Sequence, residues 1–100
     1  MVKVIDLSPE EIAREERLSK LAKMAKEVVP HVKQVRAWGG YYIDLDFGDT
    51  GRSEISVRLN ANTINVNSPK YFDDAMKLAK SYERFEEPEF TLKCNYRKFC

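Results

Sequence analysis

Apolar residues recur every three or four positions in two stretches of the chain, a spacing that predicts helices with one buried face. The first stripe consists of Leu18, Leu21, Ala22, Ala25, Val28 and Val29. The second consists of Phe72, Ala75, Met76, Ala79 and Tyr82. Ser8-Pro9 and Ser68-Pro69 precede the two stripes, an order that is typical of helix starts. Pro30 ends the first helix, because its ring clashes with the preceding turn.

In other stretches apolar and polar residues alternate, which is typical of strands with one buried face. These stretches are residues 32–38, 41–47, 54–59, 63–67 and 90–97. Short segments rich in glycine and asparagine join the first four, so they predict an antiparallel meander. The second helix and a last strand follow the meander. A short additional strand is predicted at Val2–Ile5.

The two patterns together predict a single α+β domain that spans residues 1–100. An antiparallel sheet of about four to five strands, the meander plus the C-terminal strand, would carry two helices on one face. This arrangement buries the apolar stripe of each helix against the apolar face of the sheet.

The register of the first hairpin has two solutions around Gly39-Gly40, whose residues reach the positive φ angles of tight turns. A two-residue turn would pair Ala37 with Tyr42. A three-residue turn with a bulge would pair Val35 with Ile43. We favour the second, because a one-residue slip would turn every apolar side chain of one strand away from the core.

Composition and charge exclude several classes of protein. The chain has 43% hydrophobic and 33% charged residues, too apolar for a disordered protein and too charged for a membrane protein. Seventeen basic and 16 acidic residues give a net charge of +1, which demands neither nucleic acid nor a membrane as partner. Balanced charge and a single glutamine, Gln34, are typical of thermophilic sources. A cytoplasmic protein is expected, since no apolar segment resembles a signal peptide or a membrane span.

Three carboxylates, Asp44, Asp46 and Glu54, form the candidate metal site of a metal-dependent enzyme. The segment departs from a calcium-binding loop because its fifth position is Gly48. It also lacks a lysine two residues after Glu54, where a common nuclease motif places one. Carboxylates that solvate the outer face of a strand explain the same pattern, so we predict neither a metal nor another cofactor.

Nucleophilic catalysis would need His31, the only histidine, beside one of the two cysteines, Cys94 or Cys100. Cys94 falls on the apolar face of its strand, as a small core residue would. On a continuous strand the two cysteines would lie about 20 Å apart and could not bond. Only a turn at Asn95-Tyr96 would bring them together. The sequence therefore predicts no catalytic residues.

Aromatic and basic residues cluster at the first hairpin and at the C-terminus. The candidate interaction residues are Arg36, Trp38, Tyr41, Tyr42, Lys93, Tyr96, Arg97, Lys98 and Phe99. Trp, Tyr and Arg anchor protein interfaces, while exposed aromatics with Lys and Arg also stack on bases and meet phosphates. A purely structural explanation assigns Tyr41 and Tyr96 to apolar faces and Trp38 to the rim of the core.

The favoured hypothesis is a non-enzymatic module that binds another protein, including a second copy of itself. The predicted last strand at a sheet edge supports it, because an edge strand can pair with another chain. The alternative is a nucleic-acid-binding protein that uses the C-terminal segment and the tip of the hairpin. A metal-dependent enzyme is the third hypothesis.

Overall fold

The computed structural model describes residues 9–85 and 89–96 and has an α+β fold. Its elements are α1 (Pro9–Val28), β1 (Gln34–Trp38), β2 (Tyr42–Asp46), β3 (Ile55–Arg58), β4 (Thr63–Val66), a 3₁₀ turn (Pro69–Tyr71), α2 (Phe72–Phe85) and β5 (Thr91–Cys94). The predicted fold class is confirmed. The strand predicted at Val2–Ile5 and the cap predicted at Ser8 lie outside the described residues.

The five strands form one sheet in the order β1-β2-β3-β4-β5. The first three pairs are antiparallel, as the meander predicted, whereas β4 and β5 are parallel. The prediction of an antiparallel last strand was therefore wrong. The segment between β4 and β5 contains α2, and a crossover of this kind brings the chain back to the same end of the sheet before the next strand begins. Among the described strands, β5 lies at one edge of the sheet, as expected, and β1 lies at the other.

The first hairpin adopts neither predicted pairing. Val35 lies opposite Leu45 rather than Ile43, and Trp38 lies opposite Tyr42. Three residues, from Gly39 to Tyr41, connect the paired ends. The pairing differs from the favoured one by two residues, so Val35 still shares the apolar face. Gly39 has a φ of +65°, and a Cβ atom there would lie 2.8 Å from the Tyr42 ring, so this turn needs glycine.

The core lies between the helices and one face of the sheet. Helix α1 packs on β1 and β2, and α2 packs on β4 and β5. The buried side chains of the sheet include Ile43, Leu45, Ile55, Val57, Leu59, Ile64 and Val66, and those of the helices include Leu18, Leu21, Ala25, Ala75, Leu78, Ala79 and Tyr82. Within the described part of the chain, no helix is both long enough and apolar enough to cross a membrane.

The loop between β2 and β3 closes around a buried carboxylate. Glu54 is 1% exposed. Its Oε1 accepts a hydrogen bond from the Phe47 N–H at 2.9 Å, and its Oε2 accepts bonds from the N–H groups of Asp49 and Thr50 at 3.1 and 3.2 Å. The carboxylate therefore accepts hydrogen bonds from backbone N–H groups of the loop, which the strand pairing does not use.

Candidate functional site

The face of the sheet turned away from the helices is formed by two lateral rows of side chains. Residues alternate between the two faces of a strand, so the neighbours of the core residues point to this side. The strand pairing aligns one row as Trp38, Tyr42, Arg58, Thr63 and Thr91, and the other as Arg36, Asp44, Ser56, Asn65 and Lys93. We call these two rows the open sheet face.

Trp38 is held in a fixed position at one corner of the open sheet face. The side chain is one of the exposed large hydrophobic residues of the described chain, with 53% exposure. Its Nε1–H donates to Asp44 Oδ2 at 2.7 Å, and its ring lies 4.4 Å from the Tyr42 ring, centroid to centroid, at an angle of 31°. The structure thus presents one surface of the indole to solvent and keeps the other in contact with protein.

Arg58 lies beside this aromatic pair, and Arg36 lies two residues before Trp38 on β1. Arg58 Cζ lies 6.0 Å from the centroid of the Tyr42 ring, at the limit of a cation–π contact. Arg36 Nη2 donates to the Ser53 hydroxyl at 3.2 Å. A depression of about 330 Å³ lies between the rings and Arg58, and its lining includes Asp44 and Ser56. Aromatic surface and the Arg58 guanidinium therefore meet at the corner formed by β1, β2 and β3.

The open sheet face brings together four of the predicted interaction residues. Arg36, Trp38 and Tyr42 are neighbours at the β1 edge, whereas Lys93 belongs to the same face on β5 at the opposite edge. Tyr96 instead packs against the hydrophobic core. The remaining predicted residues, Arg97, Lys98 and Phe99, lie outside the described residues.

Tyr41 lies on the helix side of the sheet, away from Trp38. Its hydroxyl accepts a hydrogen bond from Arg14 Nη1 at 3.1 Å, and Arg14 Cζ lies 5.0 Å from its ring. The hydrogen bond to Tyr41 raises the pKa of Arg14 further above its ordinary value. The first turns of α1 are thereby tied to the start of β2.

Sequence reasoning missed Asp44 and Arg58 as members of the site. Each alternates with the core residues of its own strand, so the sequence could have placed both on the face turned away from the core. Their contacts could not, because the position of Arg58 beside Tyr42 depends on the register of β2 with β3. Asp44 was considered as a metal ligand or as a carboxylate that solvates the outer face of its strand.

The residues considered for metal binding and catalysis have other roles in the structure. Among the described residues, no group of three or more His, Cys, Asp or Glu side chains could hold a metal ion. Cys94 is disulfide-bonded and is not a free thiol, while Cys100, the other cysteine, lies outside the described residues. The His31 ring contacts Asp74, with 2.7 Å between Nε2 and Oδ2.

A second polar cluster fastens the β2–β3 loop to the start of α2. Asp49 Oδ2 accepts hydrogen bonds from the Tyr71 hydroxyl and from Lys70 Nζ, the latter at 3.0 Å. Tyr71 also stacks on Phe47 with 4.0 Å between ring centroids. The bonds from Tyr71 and Lys70 lower the pKa of the Asp49 carboxyl, and the bond to Asp49 raises the pKa of Tyr71 and of Lys70.

We expect Asp49→Asn to destabilise the protein at neutral pH and to have progressively less effect in acid. The folded-state pKa of Asp49 is depressed, so its contribution is fully present above the unfolded value of about 3.9 and is lost as the pH falls through the folded value. Urea unfolding of both proteins near pH 7 and below about pH 3 measures the difference. Glu16→Gln, an exposed carboxylate on α1, is the control. A difference that persists in acid would contradict this assignment.

Comparisons with known protein families, with curated proteins and with solved structures gave no match. The open sheet face is therefore interpreted from its own geometry.

Proposed function

We propose that this chain is a non-enzymatic module that binds another protein through the open sheet face around Trp38. The observation that carries the proposal is a tryptophan that is 53% exposed yet held by a hydrogen bond and by contact with the tilted ring of Tyr42. An immobilised aromatic side chain loses little conformational entropy when it is buried at an interface.

The composition of this corner also supports the proposal. Trp, Tyr and Arg are the residues enriched at the energetic centres of protein interfaces, and Trp38, Tyr42, Arg36 and Arg58 share one face of three neighbouring strands here. A tryptophan at the rim of the core would be shielded by the helices, whereas Trp38 belongs to the face away from them. The cytoplasmic location expected from the sequence is part of this proposal.

Trp38→Ala is expected to weaken partner binding at least about thirtyfold, which corresponds to about 2 kcal/mol. Tagged protein is incubated with native lysate treated with nuclease, and the captured proteins are compared between the wild type and the variant. If the partner is a second copy of the chain, sedimentation shows a dimer for the wild type and a monomer for Trp38→Ala.

Phe85→Ala provides a matched control. Phe85 is 50% exposed at the end of α2, so this variant also removes one exposed aromatic ring. Circular dichroism of both variants verifies that the fold is kept. A partner captured equally by the wild type and Trp38→Ala, or lost equally from Phe85→Ala, would refute the assignment of Trp38 as the centre of the interface.

Nucleic-acid binding is the second candidate, because a base could stack on the exposed Trp38 ring while Arg58, beside Tyr42, meets a phosphate. This hypothesis predicts that nuclease removes the captured material and that affinity falls steeply with salt. It also predicts loss of binding in Arg97→Ala with Lys98→Ala. A complex that is insensitive to salt and nuclease would exclude it.

A further inference from the structure

The charged groups of the open sheet face differ in whether they already have partners. Asp44 accepts the indole N–H of Trp38 at 2.7 Å. Asp46, at the end of the same strand, accepts the backbone N–H of Gly48 at 2.8 Å. Both carboxylates of β2 thus have donors within the protein, and neither depends on an added cation for a hydrogen bond.

The described contacts of the arginines on this face go to neutral groups, although Asp44 lies opposite Arg36 in the strand pairing. Arg36 donates to a serine hydroxyl, and Arg58 lies over a tyrosine ring. Neither they nor Lys93 form an ion pair with a described carboxylate. Arg36, Arg58 and Lys93 are all exposed. The face therefore offers three positive charges that a partner can reach.

These cations occupy alternate strands of the sheet. Arg36 lies on β1, Arg58 on β3 and Lys93 on β5, so one strand separates each cation from the next. Adjacent strands lie about 4.8 Å apart, so the strands that carry successive cations lie about 10 Å apart. An extended chain advances about 3.3 Å per residue, so three residues of a partner that crosses the strands span this interval.

We propose that the open sheet face binds an acidic, extended protein segment with carboxylates about three residues apart. This inference rests on the proposed function and specifies its partner. Partner carboxylates would form charge-assisted hydrogen bonds with Arg36 and Arg58, and an apolar partner side chain would cover the exposed surface of Trp38. The complementary charge also speeds association and disfavours basic partners.

The carboxylates of β2 favour a protein partner over a nucleic acid. A nucleic acid carries a charge on every phosphate, and a strand that reaches both Arg36 and Arg58 would pass over Asp44. A protein segment lessens this repulsion because it can place a neutral residue opposite β2 and carboxylates opposite β1 and β3.

Trp38 is the only tryptophan of the chain, so its fluorescence reports directly on this face. The probe is a synthetic peptide of about twelve residues with glutamate at every third position, one central phenylalanine, and serine and threonine elsewhere. We expect this peptide to change the Trp38 emission saturably. A peptide with lysine in place of glutamate and a single-stranded oligouridylate of the same length are expected to give much weaker changes.

Arg36→Gln combined with Arg58→Gln is expected to weaken binding of the acidic peptide at least tenfold. Lys77→Gln combined with Lys80→Gln removes the same charge from exposed positions of α2 and is expected to leave binding unchanged. The inference is overturned if the acidic peptide does not bind, if the lysine peptide or the oligonucleotide binds as well, or if the α2 variant loses as much affinity.

The two proposals can fail separately. If the acidic peptide does not bind but Trp38→Ala still abolishes capture of a protein from nuclease-treated lysate, the interaction function stands and only the acidic partner is wrong. If Trp38→Ala has no effect on capture, the interaction face itself is wrong.

Discussion

Tyr82→Ala is expected to lower the free energy of unfolding by about 4 kcal/mol, because it removes a large, fully buried ring from the core. Tyr82 is fully buried on α2, and its ring lies 5.2 Å from that of Phe90, centroid to centroid. Its hydroxyl donates to the carbonyl oxygen of Leu21 on α1 at 2.7 Å. One side chain therefore connects both helices and the residue that precedes β5. Urea unfolding followed by circular dichroism measures the loss.

Tyr82→Phe separates the hydrogen bond from the ring. This variant keeps the packing and removes the bond to Leu21, so it is expected to cost only about 1 kcal/mol and to remain folded. Lys80→Ala, at an exposed position of the same helix, is expected to change the free energy of unfolding by less than about 0.5 kcal/mol. If Tyr82→Phe cost as much as Tyr82→Ala, the hydrogen bond rather than the ring would dominate, contrary to our assignment.

The sequence was sufficient to predict features that depend on local chemistry and on side-chain parity. Pro30 and Ser68-Pro69 mark helix ends through backbone restrictions that hold in any fold. Alternation identifies which residues of a strand face the core, and Ile43 and Leu45 are buried as it predicts. Ser68 shows the limit of such patterns, because its side chain makes no capping hydrogen bond although Pro69 begins the 3₁₀ turn that leads into the predicted helix.

Register and strand direction could not be obtained from the same patterns. Pairing Val35 with Ile43 or with Leu45 buries the same side chains, since the two registers differ by two residues and the apolar face repeats with a period of two. The direction of β5 likewise depends on the path of α2 between β4 and β5, which the alternation of residues 90–97 does not encode.

The interaction site was only partly predictable for a related reason. The hairpin tip was treated as one cluster of neighbouring residues, yet adjacent residues of a strand point to opposite faces. Tyr41 therefore lies beside Arg14 under α1, while the Tyr42 ring contacts Trp38 at a tilt. Parity alone separates the two tyrosines, as the structural explanation that assigned Tyr41 to the apolar face did. The bond between Trp38 and Asp44 depends on side-chain conformation, which no pattern of residue types specifies.

Glu54 shows how the same residue supports different hypotheses in sequence and in structure. Its place beside Asp44 and Asp46 in the sequence suggested a metal ligand. In the structure both of its oxygens accept hydrogen bonds from the β2–β3 loop. A carboxylate whose oxygens already accept three backbone N–H groups gains less from a cation than an exposed one does.

Glu54→Ala is expected to lower the free energy of unfolding by about 3 kcal/mol. Each hydrogen bond to a charged group contributes about 1.5 to 3 kcal/mol, but the donors at Asp49 and Thr50 belong to exposed residues and can turn to water, so the loss is smaller than the sum. Glu54→Gln is expected to cost about 2 kcal/mol, because its amide group places hydrogen-bond donors against backbone donors. Urea unfolding gives the magnitude, and hydrogen exchange of the Asp49 and Thr50 amides shows whether the loop opens.

Glu83 offers a graded comparison, since its Oε2 accepts one backbone N–H, that of Phe90, at 2.9 Å. Glu83→Ala is therefore expected to cost about 1 kcal/mol, and the exposed Glu16→Ala close to nothing. If Glu54→Ala were no worse than Glu16→Ala, the carboxylate would not anchor the loop. A ligand that binds only the folded state stabilises it. If millimolar Mg²⁺ raised the melting temperature of the wild type but not of Glu54→Gln, Glu54 would instead be a metal ligand.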